Sequence, residues 1–186
     1  FFEHIDAANI DLKGFSENFY RDLCGGSLEP VLDTLEYLIH ETDVWTEITT
    51  LLIPGENDSP EEIDALTKWV VKNLGEHIPL HFSAFHPDYK FTNRPPTSFK
   101  SLKQARDIAR QNGLEFVYLG NVSSFEGANT YCHGCGEILI SRSGYELNEW
   151  HLDDLGNCEY CGLEIPGKFE DQHGRWGNRY HRIKIW

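Results

Sequence analysis

Short apolar runs alternate with amphipathic helical stretches between residues 5 and 121. This alternation is typical of βα units that build a parallel sheet. The predicted strands cover residues 5–13, 45–53, 79–85 and 115–120. Three strand–helix repeats are too few to close an eight-stranded barrel, which needs about 250 residues, so the chain holds part of a barrel or a small open sheet. Either arrangement places binding groups at the carboxyl ends of the strands.

The helices between these strands have recognisable start signals. Ser27 is the predicted N-cap of the first helix. Ser59 caps the second helix, Pro60 occupies its first position, and Glu62 completes a predicted capping box. The third helix is predicted over residues 98–112. Each helix carries an apolar stripe, which predicts that it covers one face of the sheet.

Polar groups stand at the ends of three predicted strands. Asp11 and Lys13 end the first strand, and the period of two places both on one face, with Leu12 on the other. Such a pair suits a zwitterionic ligand, and the alternative is an ordinary exposed ion pair. Gly55 follows the second strand, where it permits close approach of a ligand or simply forms a turn. His86 follows the third strand. Its ring lies either over the sheet edge or on the surface.

In this order, the three strand ends resemble the second half of radical S-adenosylmethionine (radical SAM) barrels of the glycyl-radical-activating type, as in pyruvate formate-lyase activating enzyme. In that family a D-x-K strand end contacts the carboxylate end of S-adenosylmethionine, and Asp11 and Lys13 match it. A late histidine packs near the nucleoside, and His86 matches it. A hydrophobic strand that exits through Pro-Gly lies against the adenine, and the candidate contacts here are Leu52, Ile53 and Gly55.

The sequence is also similar, over nearly its whole length, to the radical SAM member of the AmmeMemoRadiSam system. Residues 5–13, 28–35 and 81–90 carry this similarity, which continues through two cysteine pairs. The resemblance implies a radical SAM enzyme that cleaves S-adenosylmethionine reductively at a 4Fe–4S cluster. The product is a 5′-deoxyadenosyl radical, which abstracts hydrogen from a protein or small-molecule substrate.

The chain departs from that family because it lacks the C-x-x-x-C-x-x-C motif that binds the cluster. The glycine-rich strand that binds the methionyl amino group is absent as well. We expect both upstream of Phe1, since the chain contains no methionine and opens directly before a predicted strand. The fragment alone is therefore expected to be inactive.

Two C-x-x-C pairs, each followed by glycine, are formed by Cys132, Cys135, Cys158 and Cys161. Four thiolates on two tight turns predict structural zinc, with rubredoxin-like iron, a cluster or free dithiols as the alternatives. A hairpin through residues 138–150 accounts for the long spacer between the pairs. The predicted division is a partial barrel over residues 1–121 and a zinc-ribbon-like module with a tail over residues 122–186.

The formal net charge of −14 disfavours nucleic acid and anionic lipid as partners. No run approaches the roughly 20 apolar residues of a membrane span, and no signal peptide opens the chain, so we expect a cytoplasmic protein. The alternative to an enzyme is a binding module, in which the cysteine ribbon docks a protein partner and the α/β layer is the scaffold.

Overall fold

The computed structural model describes residues 2–169. The chain divides into two compact units, Phe1–Val122 and Ser123–Trp186. The predicted tail lies, from residue 170 onward, outside the described residues. No helix in the described part of the chain combines the length and the apolar character needed to cross a membrane.

The first unit contains a four-stranded parallel sheet. Its strands are β1 (Ala7–Asp11), β2 (Trp45–Leu52), β3 (Leu80–Ala84) and β4 (Val117–Gly120). They pair in the order β1-β2-β3-β4, and all three pairings are parallel. The predicted parallel α/β fold is confirmed, with each strand slightly shorter than predicted. Because parallel crossovers are right-handed, a sheet that grows in one direction carries its helices on one face.

Helices connect the strands of the first unit. After a 3₁₀ turn at Phe2–His4 come α1 (Glu17–Phe19), a π turn (Tyr20–Cys24), α2 (Glu29–Glu41), α3 (Pro60–Asn73) and α4 (Phe99–Gln111). The core lies between these helices and one face of the sheet. Alternate residues of β2 are buried, and Ile48 and Leu52 are inaccessible to solvent. Burial of each such side chain contributes about 1.5 to 3 kcal/mol.

The start of α3 confirms one predicted cap and changes the role of its partner. The Ser59 side chain accepts a hydrogen bond from the Glu62 N–H at 3.2 Å, and Pro60 occupies the first turn. The Glu62 carboxylate does not close a capping box with Ser59. It accepts instead from the Phe15 N–H at 2.7 Å, which ties the loop after β1 to the start of α3.

The predicted cap at Ser27 is wrong, because α2 begins with Leu28 at the N-cap position. Pro30 supplies no N–H in the first turn, and the Val31 N–H already donates to the Leu28 carbonyl oxygen at 2.9 Å. A side-chain acceptor at the cap would therefore find few unpaired backbone N–H groups in the first turn of α2.

The second unit contains a small antiparallel sheet. Its strands are β5 (Thr130–Tyr131), β6 (Ile138–Ser143) and β7 (Glu146–Trp150), and the short helix α5 (Phe125–Ala128) precedes them. The order is β5-β6-β7, and both pairings are antiparallel. The predicted hairpin between the cysteine pairs is thus present, and its turn contains Gly144 with a φ of 61°.

Candidate functional site

The parallel pairing of β1, β2 and β3 brings their carboxyl ends to one edge of the sheet. Asp11 ends β1, Gly55 lies three residues beyond β2, and His86 lies two residues beyond β3. The three residues therefore share the edge at which parallel sheets place their ligands.

Asp11 and Lys13 form an ion pair at the exit of β1. Lys13 Nζ lies 2.8 Å from Asp11 Oδ2, and about half of each side chain is exposed. Leu12 between them is fully buried, so the predicted alternation is correct. The backbone here is fixed, since the Lys13 N–H donates to the Tyr20 hydroxyl at 3.1 Å, and burial raises the pKa of that phenol. An exposed pair of this kind contributes at most about 1 kcal/mol, so both charges can turn to a ligand at little cost.

At the exit of β2, Leu51 faces the open side of the sheet, whereas Leu52 and Ile53 do not. Leu52 is fully buried and Ile53 is 9% exposed, because both pack into the core of the first unit. Gly55 has a φ of 77°, and its N–H donates to Asp58 Oδ1 at 2.8 Å, so a turn alone requires this glycine. A contact of Leu52, Ile53 or Gly55 with a cofactor stays a prediction.

A cavity of about 560 Å³ opens at the exits of β2, β3 and β4. Cavities of this size accommodate small organic ligands. His86 is exposed and forms part of the wall, so the histidine singled out in the sequence does face a cavity. Most of the wall is apolar and is formed by Leu51, Ala84, Phe85, Pro96 and Val122, and the polar residues that line it are His86, Asp88, Thr97 and Asn121.

Asn57 is a site residue that sequence reasoning missed. Its side chain is 2% exposed, and its amide nitrogen donates to the carbonyl oxygens of Lys13 at 2.6 Å and Leu51 at 2.9 Å. Its amide oxygen accepts from the Ile53 N–H at 2.7 Å. Asn57 therefore fixes the exit of β1 against the exit of β2.

Thr97 and Asn121 link the next strand exits in the same way. The Thr97 hydroxyl donates to the Leu52 carbonyl oxygen at 2.5 Å and accepts from the Phe85 N–H at 2.8 Å. The Asn121 amide donates to the Ala84 carbonyl oxygen at 3.1 Å, and Asn121 itself has a φ of 59°. The only sequence signal for these residues is a polar side chain just after a strand or before a helix.

The second unit brings its four cysteines together. Their Sγ atoms all lie within 4.8 Å of one another, with 3.6 Å between Cys132 and Cys161 and 3.7 Å between Cys135 and Cys158. A tetrahedral site with metal–sulfur bonds of about 2.3 Å separates its sulfurs by about 3.8 Å. The arrangement therefore fits one four-coordinate metal ion.

The two cysteine turns have the same backbone geometry. The Cys132 N–H donates to the Glu137 carbonyl oxygen at 2.8 Å, and the Gly136 N–H donates to the Cys132 carbonyl oxygen at 2.9 Å. The turn at Cys158 repeats both bonds at 2.8 Å. Gly136 and Gly162 have φ values of 80° and 75°, a region that favours glycine.

The pKa values of the cysteine thiols differ as long as no metal ion compensates their charge. Burial opposes ionisation of Cys158, but the N–H groups of Cys161 and Tyr160 and the adjacent thiols lower its pKa to about 7. The Glu137 N–H favours the Cys135 thiolate, yet desolvation and the neighbouring thiols raise that pKa to about 12. The Cys158 thiolate therefore forms readily, whereas the Cys135 thiolate requires the positive charge that a divalent cation supplies.

The first unit is a parallel α/β layer whose fold is similar to that of solved radical SAM proteins, and a four-cysteine group that can hold a metal ion follows it in the chain. One structural neighbour is a domain of pyruvate-formate lyase-activating enzyme from Bacteroides vulgatus, with a TM-score of 0.54 and 20% identity over 62% of this chain and 68% of that chain. A radical SAM methyltransferase from Sphaerobacter thermophilus aligns with a TM-score of 0.50 and 16% identity, over 70% of this chain and 37% of that chain.

The sequence itself is 43% identical over 162 residues to an uncharacterised protein of Methanocaldococcus jannaschii. The match covers 87% of this chain and 48% of the relative, so the chain spans about half the length of the curated protein it matches. No family model matches the chain.

Proposed function

We propose that this chain is the C-terminal part of a radical SAM enzyme and that its strand exits bind S-adenosylmethionine. The observation that carries the proposal is the single sheet edge, on a fold of the radical SAM type, that holds both the Asp11–Lys13 pair and the cavity beside His86. A charged pair and an apolar cavity suit the two ends of this cofactor.

The charges fit the methionyl end of S-adenosylmethionine. Lys13 offers an ammonium group to the carboxylate of the cofactor, and Asp11 offers a carboxylate to its positive charges. The apolar cavity suits the adenine, with Leu51 and His86 as the side chains that reach it. Contacts of Leu52, Ile53 and Gly55 with the adenine are also part of the proposal.

The residues of this chain do not supply the three-cysteine motif that holds the 4Fe–4S cluster of a radical SAM enzyme. Four of its five cysteines belong to the ribbon, and Cys24 stands alone. In a radical SAM enzyme the cluster supplies the electron that cleaves S-adenosylmethionine, and we assign it to a longer protein of which this chain is part. The contribution of the present residues is to bind and orient the cofactor and to exclude water.

We propose that the four cysteines bind structural zinc. The site is closed, with four thiols already in tetrahedral spacing, whereas catalytic zinc sites keep one position open. All five cysteines are free thiols, in keeping with a reducing compartment, and a cytoplasmic location is part of the proposal.

The substrate in this proposal is a protein or a small molecule, and it is neither nucleic acid nor membrane lipid, given the net charge of −14. Activation of a protein partner, as the name of the Bacteroides vulgatus neighbour indicates for that enzyme, is one form of the proposal. Membership of the AmmeMemoRadiSam system is another part of it, and it is based on the sequence resemblance.

The decisive experiment measures 5′-deoxyadenosine. Full-length protein is reconstituted with iron and sulfide without oxygen, and S-adenosylmethionine and dithionite are added. We expect 5′-deoxyadenosine from the full-length protein and none from residues 1–186 alone. Absence of the product from full-length protein with any reductant would contradict the proposal and favour the module that docks a protein partner through its cysteine ribbon.

A further inference from the structure

The two cysteine turns of the second unit form an exposed surface, which we call the knuckle face. It comprises residues 134–137 and 159–164, all of them exposed. The turns lie side by side, since 3.7 Å separates the Sγ atoms of Cys135 and Cys158. Leu163 of the second turn lies against the first, because a Cβ added to Gly134 would stand 2.7 Å from Leu163 Cδ2. The knuckle face is therefore one continuous surface across both turns.

Two large apolar side chains stand out on the knuckle face. Tyr160 is 53% exposed and Leu163 is 37% exposed, whereas three of the other residues are glycines. The Tyr160 ring contacts the His151 imidazole, with ring centroids 5.1 Å apart. Tyrosine is enriched in protein–protein interfaces, where its ring supplies a wide contact area at a low cost in conformational entropy. Tyr160 is therefore a candidate anchor for a partner.

Three carboxylates lie near the Tyr160 side chain. Desolvation and the charges of these carboxylates raise the pKa of the Tyr160 phenol. They belong to Glu137, Glu149 and Glu159. His151 connects two of them, since its Nδ1 lies 3.3 Å from Glu159 Oε2 and its Nε2 lies 3.7 Å from Glu149 Oε2. An exposed aromatic ring with carboxylates beside it has the chemistry that recognises an organic cation.

Few positive charges offset the carboxylates of this unit. Its described residues, 123–169, contain eight Asp or Glu residues and two Lys or Arg residues, Arg142 and Lys168. Among the described residues, no Lys or Arg pairs with the three carboxylates near Tyr160. A divalent metal ion neutralises only two of four thiolate charges, so the metal-bound cysteine site is also anionic. The knuckle face therefore attracts positive charge.

We propose that the knuckle face docks a basic segment of a partner protein and that an Arg or Lys side chain of this segment lies over the Tyr160 ring. The cation is attracted to the face of the ring, and the three carboxylates accept from its N–H groups. Its aliphatic stem packs against apolar surface, which Leu163 supplies. An acidic partner is disfavoured by like charge. The inference goes beyond the proposed function and does not rest on it, because docking requires neither S-adenosylmethionine nor the cluster.

The test measures the binding of a basic peptide to the full-length, zinc-loaded protein. The probe is a fluorescent peptide of three arginines separated by glycines, and fluorescence anisotropy gives its Kd. The salt concentration is about 0.15 M, at which distant charges are screened. A second peptide has citrulline in place of arginine, which keeps the shape of the side chain and removes its charge. We expect the citrulline peptide to bind about tenfold more weakly.

The charges of the knuckle face are tested by a triple variant that combines Glu137→Gln, Glu149→Gln and Glu159→Gln. Its matched control combines Glu3→Gln, Glu41→Gln and Glu61→Gln. The control residues are exposed, lie in the first unit and change the net charge by the same amount. We expect the first variant to bind the arginine peptide about tenfold more weakly and the control to change the Kd less than about twofold.

The aromatic ring is tested by Tyr160→Leu, which keeps an apolar side chain and removes the ring. Tyr37→Leu is its matched control, because Tyr37 is 49% exposed and lies on α2 in the first unit. We expect Tyr160→Leu to weaken binding of the arginine peptide about threefold and Tyr37→Leu to leave the Kd unchanged.

Zinc content is measured for every variant, since Glu137, Glu159 and Tyr160 lie close to cysteines in the sequence. If the triple variant loses zinc, Glu149→Gln alone decides, because Glu149 lies on β7 outside both cysteine turns. This variant should bind about twofold more weakly with its zinc retained. An unchanged Kd in Glu149→Gln would then overturn the proposal.

Four results would contradict docking of a basic partner. Equal losses in the two triple variants would indicate attraction to the net charge of −14 alone. Equal affinity for the arginine and citrulline peptides would exclude a cation site, and an unchanged Kd in Tyr160→Leu would exclude the ring. The C-terminal segment of this chain is itself basic, through Arg175, Arg179, Arg182 and Lys184. If glutamine at these four positions tightens peptide binding, that segment, in the same or a second copy of the chain, is the occupant.

Discussion

The side-chain amide of Asn57, in the loop after β2, donates a 2.6 Å hydrogen bond to the carbonyl oxygen of Lys13, at the end of β1. The bond joins residues 44 positions apart and fixes a candidate ligand residue to its neighbouring strand. Thr97 and Asn121 do the same at the next two strand exits. The edge of the sheet is therefore held by polar side chains, of which Asn57 and Thr97 are buried, and not by apolar packing alone.

Replacing Asn57 by alanine should cost about 2 to 4 kcal/mol of the free energy of unfolding, because one buried and two partly buried backbone groups lose their partner. The measurement is urea denaturation of the full-length protein. Asn73→Ala is the matched control, since among the described residues the Asn73 side-chain amide donates only to the Trp69 carbonyl oxygen on the same helix. Equal effects of the two substitutions would show that Asn57 has no special role at the edge.

The two predicted helix caps give a second test. Ser59→Ala should destabilise the first unit by about 1 kcal/mol, since it removes the acceptor of the Glu62 N–H. Ser27→Ala should change stability by less than about 0.5 kcal/mol, because Ser27 is exposed and precedes the capping position. Denaturation midpoints of the two variants check the pair, and a larger loss at Ser27 would contradict this account of α2.

The sequence predicts those parts of the fold that depend on local periodicity. The four strands, the three long helices and the shared edge of Asp11, Gly55 and His86 all follow from apolar spacing and from the rule that βα units form parallel sheets. The C-x-x-C-G turns are equally local, since each cysteine pair and its glycine lie within five residues.

Contacts between distant residues were beyond sequence reasoning. The bond from the Phe15 N–H to the Glu62 carboxylate spans 47 positions. Nothing in the local sequence shows whether Glu62 makes this bond or closes a capping box. Whether Leu51 or Leu52 faces the cavity depends on the register of the strand. A shift of one residue would exchange the two side chains. Asn57 and Thr97 look like ordinary loop residues until the strands are placed side by side.

The cysteine site predicts one metal ion per chain. Serine at Cys132, Cys135, Cys158 or Cys161 should remove the metal and unfold the ribbon, since few apolar residues are buried in the described part of the second unit. The parallel sheet should persist, because the first unit has its own core. Elemental analysis and far-ultraviolet circular dichroism check both points. Cys24→Ser, at an exposed cysteine outside the group, is the control and should keep the metal.

The Lys13 ammonium should carry a large share of cofactor affinity. In the full-length protein, Lys13→Ala removes a charge-assisted contact worth about 1.5 to 3 kcal/mol, so S-adenosylmethionine should bind about ten- to a hundredfold more weakly. Lys68→Ala is the matched control, because Lys68 makes an equally short ion pair, 2.7 Å from Asp64, on α3 away from the sheet edge. Isothermal titration gives both affinities, and 5′-deoxyadenosine formation gives the turnover. Affinity and turnover that are unchanged in Lys13→Ala would remove Lys13 from the site, whereas equal losses in both variants would indicate a general effect of charge.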